Sequence, residues 1–88
     1  MEILENKNNV LIAKNNNYIT FFSYNLKIAT FDTTHKILTL YGENWNYSQT
    51  TTKQFKNFVN VYTTFLYTTK KDFEKLIKTR FDNDIIIL

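Results

Sequence analysis

The sequence predicts an α+β fold: an antiparallel sheet of about four strands in a β-meander, with two helices packed on one face. Three observations carry this. Residues 10–41 alternate apolar and polar positions in short runs separated by turn-forming residues, as strands do. From residue 55 onward, Phe55, Phe58, Val59 and Tyr62 recur at the three-and-four spacing of a helix face. The change of period falls in Trp45-Asn46-Tyr47-Ser48-Gln49-Thr50-Thr51-Thr52-Lys53, a hydroxyl-rich stretch suited to opening a helix.

The elements follow in order. Residues 10–14 read as a first strand, closed by Asn15-Asn16-Asn17, because Asn tolerates positive φ. Residues 18–24 form a second strand with Ile19, Phe21 and Ser23 on one face and Tyr18, Thr20, Phe22 and Tyr24 on the other. Aromatics on both faces leave the buried side open. Asn25-Leu26 is read as a tight connection into residues 27–32, and Thr33-Thr34-His35-Lys36 turns the chain into residues 37–41. Connections this short make neighbouring strands antiparallel. Gly42, the only glycine, closes the fourth strand.

The first helix begins near residues 48–51, capped by Ser48 or by Thr51 with Gln54 as its capping-box partner. Residues 61–69, rich in β-branched and aromatic side chains, suit either a longer helix or a fifth extended segment. Thr68 or Thr69 caps a second helix with Asp72 in its first turn and Phe73, Leu76, Ile77 and Phe81 on its inner face. Asp82-Asn83-Asp84 ends it, and residues 85–88 read as an apolar tail.

Eighty-eight residues make one domain, 1–88, because so short a chain cannot build two cores. Without cysteine there is neither a disulfide framework nor a thiolate metal site. No segment has the roughly 20 apolar residues of a membrane span. The first residues lack the basic start and apolar run of a signal peptide, so a soluble cytoplasmic protein is expected. The +3 net charge is lopsided. In residues 1–52, Lys7, Lys14, Lys27 and Lys36 balance Glu2, Glu5, Asp32 and Glu43, so the whole excess lies in the helical half. That asymmetry admits an acidic partner.

Four groups of residues bear on function. The segment 48–53 would place free helix N–H groups, hydroxyls and Lys53 together, an arrangement that can hold an anion or merely cap the helix. Lys71, Lys75 and Lys78 share a face of the second helix and, with Lys53 and Lys56, could track phosphates. Glu74 and Asp72 stand at pairing distance along that helix, and a single arginine counts against base recognition. Phe21, Phe22, Tyr24, Phe31, Tyr41, Trp45 and Tyr47 gather around the sheet and its exit. With six Tyr and eight Phe in the chain some must lie at the surface, and exposed aromatics anchor interfaces. The lone His35 sits in a turn, Ser23 and Ser48 lack a nucleophile-elbow context, and one glycine cannot make a phosphate loop. Neither an enzyme nor a bound metal or cofactor is expected.

Phe22-Ser23-Tyr24-Asn25, Ile28-Ala29 and Trp45-Asn46-Tyr47-Ser48-Gln49-Thr50-Thr51-Thr52-Lys53 resemble a group of small uncharacterised proteins. These are carried by phages and mobile elements of low-GC bacteria, and share a W-x-Y-S-x-T-T-x-K motif opening a helix. Here Leu26-Lys27 replaces a Thr of their pattern, and Gln54 stands where His often follows the Lys. The resemblance covers roughly residues 18–60. It implies a phage accessory protein acting on host machinery, the genetic class that includes anti-CRISPR inhibitors of bacterial defence. The expected function is non-catalytic binding of a host protein through Trp45, Tyr47 and the lysines of the helical half. The alternative is a small basic nucleic-acid-binding regulator.

Overall fold

The computed structural model describes Met1–Leu88. Six strands form one sheet in the order of the chain: β1 (Glu2–Lys7), β2 (Val10–Asn15), β3 (Tyr18–Ser23), β4 (Leu26–Asp32), β5 (Ile37–Leu40) and β6 (Ile85–Ile87). A 3₁₀ turn (Asn44–Asn46), α1 (Gln49–Tyr62) and α2 (Lys70–Arg80) lie between β5 and β6. The α+β class and the central meander match the expectation; the sheet has two more strands and is mixed.

Both extra strands escaped for physical reasons. In β1 the register slips between Ile3 and Glu5, so Leu4 is an extra residue that packs toward the core. This bulge breaks the period of two that marks a strand. β6 pairs parallel to β5, Leu38 opposite Ile85 and Leu40 opposite Ile87. The two helices form the crossover that a parallel neighbour needs. The expected apolar tail is therefore an edge strand. Its unbroken isoleucines hide the alternation that marks a strand, although only Ile85 is fully buried, Ile86 being half-buried and Ile87 exposed.

Asparagine makes the turns. Asn8 and Asn9 both have positive φ and close β1–β2 as a two-residue hairpin; Asn16 does so at β2–β3. Between β3 and β4 the turn is Tyr24-Asn25 (φ 51° and 66°), not Asn25-Leu26, and Leu26 opens β4. A tyrosine in the left-handed region is uncommon. It is held there by its N–H, which donates to the Asn9 carbonyl of the neighbouring hairpin at 2.9 Å.

The face of β3 left open by sequence is settled by burial. Ile19, Phe21 and Ser23 point inward with Ile12, Phe31, Leu38, Leu40 and Ile85. Over them lie Phe55, Phe58 and Val59 of α1, while Phe73 of α2 stacks on Tyr67 at 4.8 Å and meets Phe55 edge-on at 5.3 Å. Phe81, expected on the inner face of α2, lies past its end and is exposed. Residues 61–69 are not a strand. α1 continues to Tyr62, where the Thr63 hydroxyl donates to Val59 O and accepts from Phe65 N–H, ending the helix. The Asn60 amide then bonds the backbone N–H and C=O of Tyr67, fixing the connecting loop.

Candidate functional site

The two halves of the sequence motif meet in space. Ser48 is the N-cap of α1, its hydroxyl accepting from the Thr51 N–H at 3.1 Å. Gln54 does not close a capping box; it reaches across to the sheet instead. The Ser23 hydroxyl donates to Gln54 Oε1 at 2.6 Å, and Gln54 Nε2 donates to the Asn8 carbonyl at 3.2 Å. Ser48 Oγ donates to Thr51 Oγ1 at 3.1 Å, and Thr51 Oγ1 lies 3.3 Å from Ser23 Oγ. Each hydroxyl has one proton, and Ser23 has given its own to Gln54. Thr51 must therefore donate to Ser23. The result is a one-directional chain, Ser48 to Thr51 to Ser23 to Gln54 to the Asn8 carbonyl, locking the N-terminus of α1 to the end of the sheet. An amide oxygen cannot take the Ser23 proton as a base would, so this geometry leaves the hydroxyls as structural links.

On this locked floor sits an open hollow of ≈ 340 Å³ walled by Tyr24, Leu26 and Tyr47, with Ser23 and Thr51 beneath. Tyr24 is 55% exposed, Leu26 40% and Tyr47 76%. On the other side of the α1 N-terminus lies a depression of ≈ 580 Å³ lined by Asn46, Ser48, Gln49, Thr52, Lys53 and Lys70. No acidic residue lines either one. Lys70 is the first residue of α2, capped by Thr69, whose hydroxyl accepts from Asp72 N–H. Two helix N-termini and two ammonium groups thus border one depression, a region of positive potential.

Of the predicted site residues, Tyr47 and Lys53 are placed here. Trp45 is not an anchor: the 3₁₀ turn tucks it into the core, 6% exposed, 5.5 Å from the Phe55 ring and 5.6 Å from Phe73. Lys56 is exposed on the next turn of α1, and Lys71, Lys75 and Lys78 are exposed along α2. The pairings expected for that stripe do not form. Arg80–Asp84 is the one pair of a carboxylate with a lysine or arginine within 4.0 Å, while Asp72 accepts from the Thr68 hydroxyl and serves the helix start. Leu26 and Lys70 carry no sequence signal that marks them as site residues, and Tyr24 none beyond its place among the sheet aromatics. Lys70 was legible only as one more charge in a basic half.

Elsewhere Asp32 organises the β4–β5 turn. Its carboxylate accepts from the backbone N–H groups of Thr34 and His35, from Asn17 Nδ2 at 2.7 Å, and contacts His35 Nδ1 at 2.9 Å. The His35 N–H chiefly, against the opposing effect of burial, brings its pKa down to about 2. Nowhere do three His, Cys, Asp or Glu side chains converge as metal ligands would.

The sequence model of a family of unknown function, DUF8033, matches residues 2–75. The chain belongs to that family. No curated protein and no solved structure matches it. The DUF8033 match takes in β1 through the first turns of α2, and so includes every residue of the Ser48-to-Asn8 hydrogen-bond chain and of both depressions. No helix is long and apolar enough to cross a membrane.

Proposed function

We propose that this DUF8033 chain is a non-catalytic binding protein that docks a segment of a partner protein across the α1 N-terminus. Tyr24, Leu26 and Tyr47 take an apolar side chain, and Lys53 and Lys70 take a neighbouring acidic one. The observation that supports this most is the pair of exposed tyrosines walling an apolar hollow over a hydrogen-bonded floor. Rigid aromatic anchors contribute contact area at small entropic cost. Tyr24 is moreover held at positive φ, and strain of that kind collects at ligand clamps. The resemblance to phage accessory proteins makes a host protein the partner to test first, with an effector of a bacterial defence system, as for anti-CRISPR proteins, as the class. Capture from a susceptible host should retain a protein with the native chain and lose it with Tyr24→Ala plus Tyr47→Ala. Retention by that folded double variant would refute the reading.

A second reading is a nucleic-acid-binding regulator, favoured by one observation: Lys71, Lys75 and Lys78 are exposed without carboxylate partners. Phosphate contacts weaken steeply with salt. Low-salt mobility shifts that vanish in Lys71→Glu with Lys75→Glu would support it; no shift at low salt would remove it.

A further inference from the structure

Both helices and the loop between them lie on one face of the sheet, and nothing covers the other. Cross-strand partners share a face, so the pairing register shows what this surface carries. Its central row runs Ile3, Ala13, Thr20, Thr30, Thr39, Ile86, one residue from each strand. Leu11, Phe22 and Tyr41 flank it toward one end, Tyr18 and Ile37 toward the other. Ile3 is 49% and Tyr18 48% exposed. Among the paired strand residues, the charged side chains on the face are Lys27 and Asp32. Lys27 Nζ lies over the Tyr41 ring at 4.9 Å, and Asp32 is taken up by its own turn. Three of the hydroxyls at the centre are partnered with one another: Thr30 Oγ1 is 3.2 Å from both Thr20 Oγ1 and Tyr41 OH. Water can leave this centre without orphaning them.

We propose that this face pairs with the same face of a second copy of the chain, closing a two-layer β-sandwich dimer. Three features favour a second copy over another occupant. Strands about 4.8 Å apart, about 20 Å long for β1 to β4 and about 10–13 Å for β5 and β6, give on the order of 500 Å² before side-chain relief. A stable interface buries roughly 600–1,000 Å² on each partner, so the whole face is the right size for its own image. One cation and one anion, both engaged internally, offer no ionic selection for a charged partner and no repulsion between copies. The central row is also self-complementary, with isoleucine at both ends and threonine between. A two-fold axis along the strands lays Ile3 of one copy over Ile86 of the other, as an isologous contact requires.

Sedimentation velocity over a concentration series tests this. The mass should rise to twice the 10.6 kDa of one chain. Thr39→Lys, at the centre of the face, and Ile3→Lys, already half exposed at its margin, should each return it to the monomer with the circular-dichroism spectrum of the folded chain retained. Tyr24→Ala with Tyr47→Ala should leave the dimer intact, which separates this proposal from the partner-binding one. A monomer at every concentration overturns it, including the case where the face instead captures a different protein. A dimer that survives both lysine variants overturns it too, since the contact would then lie elsewhere, such as the free edge of β1.

Discussion

The Ser23 hydroxyl donates to the Gln54 side-chain oxygen at 2.6 Å, across 31 residues of sequence, joining β3 to the second turn of α1. Ser23 is 2% exposed and Thr51 1%, so removing one member strands a buried polar partner. Ser23→Ala should therefore destabilise by about 1–3 kcal/mol. In a double-mutant cycle with Gln54→Ala, the coupling should reach about 0.5–3 kcal/mol. Urea unfolding of the four proteins measures it. Additive losses would mean the chain of hydroxyls does not act as a unit.

That bond also marks how far the sequence could be read. Apolar periodicity placed the four central strands and both helices, because alternation and three-and-four spacing are local signals. It could not place Gln54, whose capping-box position gave a local role that a tertiary contact to Ser23 displaced. β1 was hidden by the Leu4 bulge, and β6 by a parallel partner more than half the chain away. Trp45 shows the same limit for the site. An aromatic beside a helix start reads alike whether a 3₁₀ turn aims it inward or, as at Tyr47, outward. Hydroxyl caps were legible because they act within three residues; the hollow was not, because its walls come from β3–β4 and from the segment before α1.

The caps separate stability from binding. Ser48→Ala should cost about 1 kcal/mol, the usual loss for an N-cap hydroxyl. Thr51→Ala should cost more, because it also cuts the chain to Ser23. Lys53→Ala, near the positive end of the α1 dipole, should be neutral or stabilising by a few tenths of a kcal/mol. Its partner binding should nevertheless fall. A Lys53→Ala protein that binds its partner normally would remove the ammonium group from the docking surface.

Asp32 predicts an acid limb in stability. Its folded pKa, about 2, lies below the ordinary carboxylate value, so the unfolded chain binds a proton first as the pH falls. The contribution is complete above the ordinary carboxylate range and disappears as pH drops through it toward about 2. Urea midpoints measured downward from neutrality should fall more steeply for the native chain than for Asp32→Asn. Equal slopes would show that the turn amides do not hold the charge.

Trp45 and Tyr47, two residues apart, should respond oppositely to truncation. Trp45→Ala empties a place between Phe55 and Phe73 and should cost about 3–5 kcal/mol, a large share of the stability of a small domain. Tyr47→Ala, at the surface, should stay within about 0.5 kcal/mol of the native chain while weakening partner capture. A thermal melt beside the capture assay distinguishes them. A marginal Trp45→Ala loss would contradict its place in the core.

Tyr24 carries the sharpest trade-off. At φ 51° it occupies the left-handed region, which for a residue with a Cβ costs roughly 1–2 kcal/mol and which Asn occupies more readily. Tyr24→Asn keeps the backbone N–H that bonds Asn9 O, so the turn geometry is retained. With the strain eased and only a half-exposed ring lost, stability should rise by roughly 0.5–1 kcal/mol. The same change removes one wall of the hollow, so partner affinity should fall even as the melting temperature climbs. If the variant is instead less stable, the ring supports the fold through contacts with Leu26 and Tyr47, and the strain has a structural explanation. If it is more stable and binds undiminished, Tyr24 has no part in docking, and Tyr47 with the two lysines must account for the surface without it.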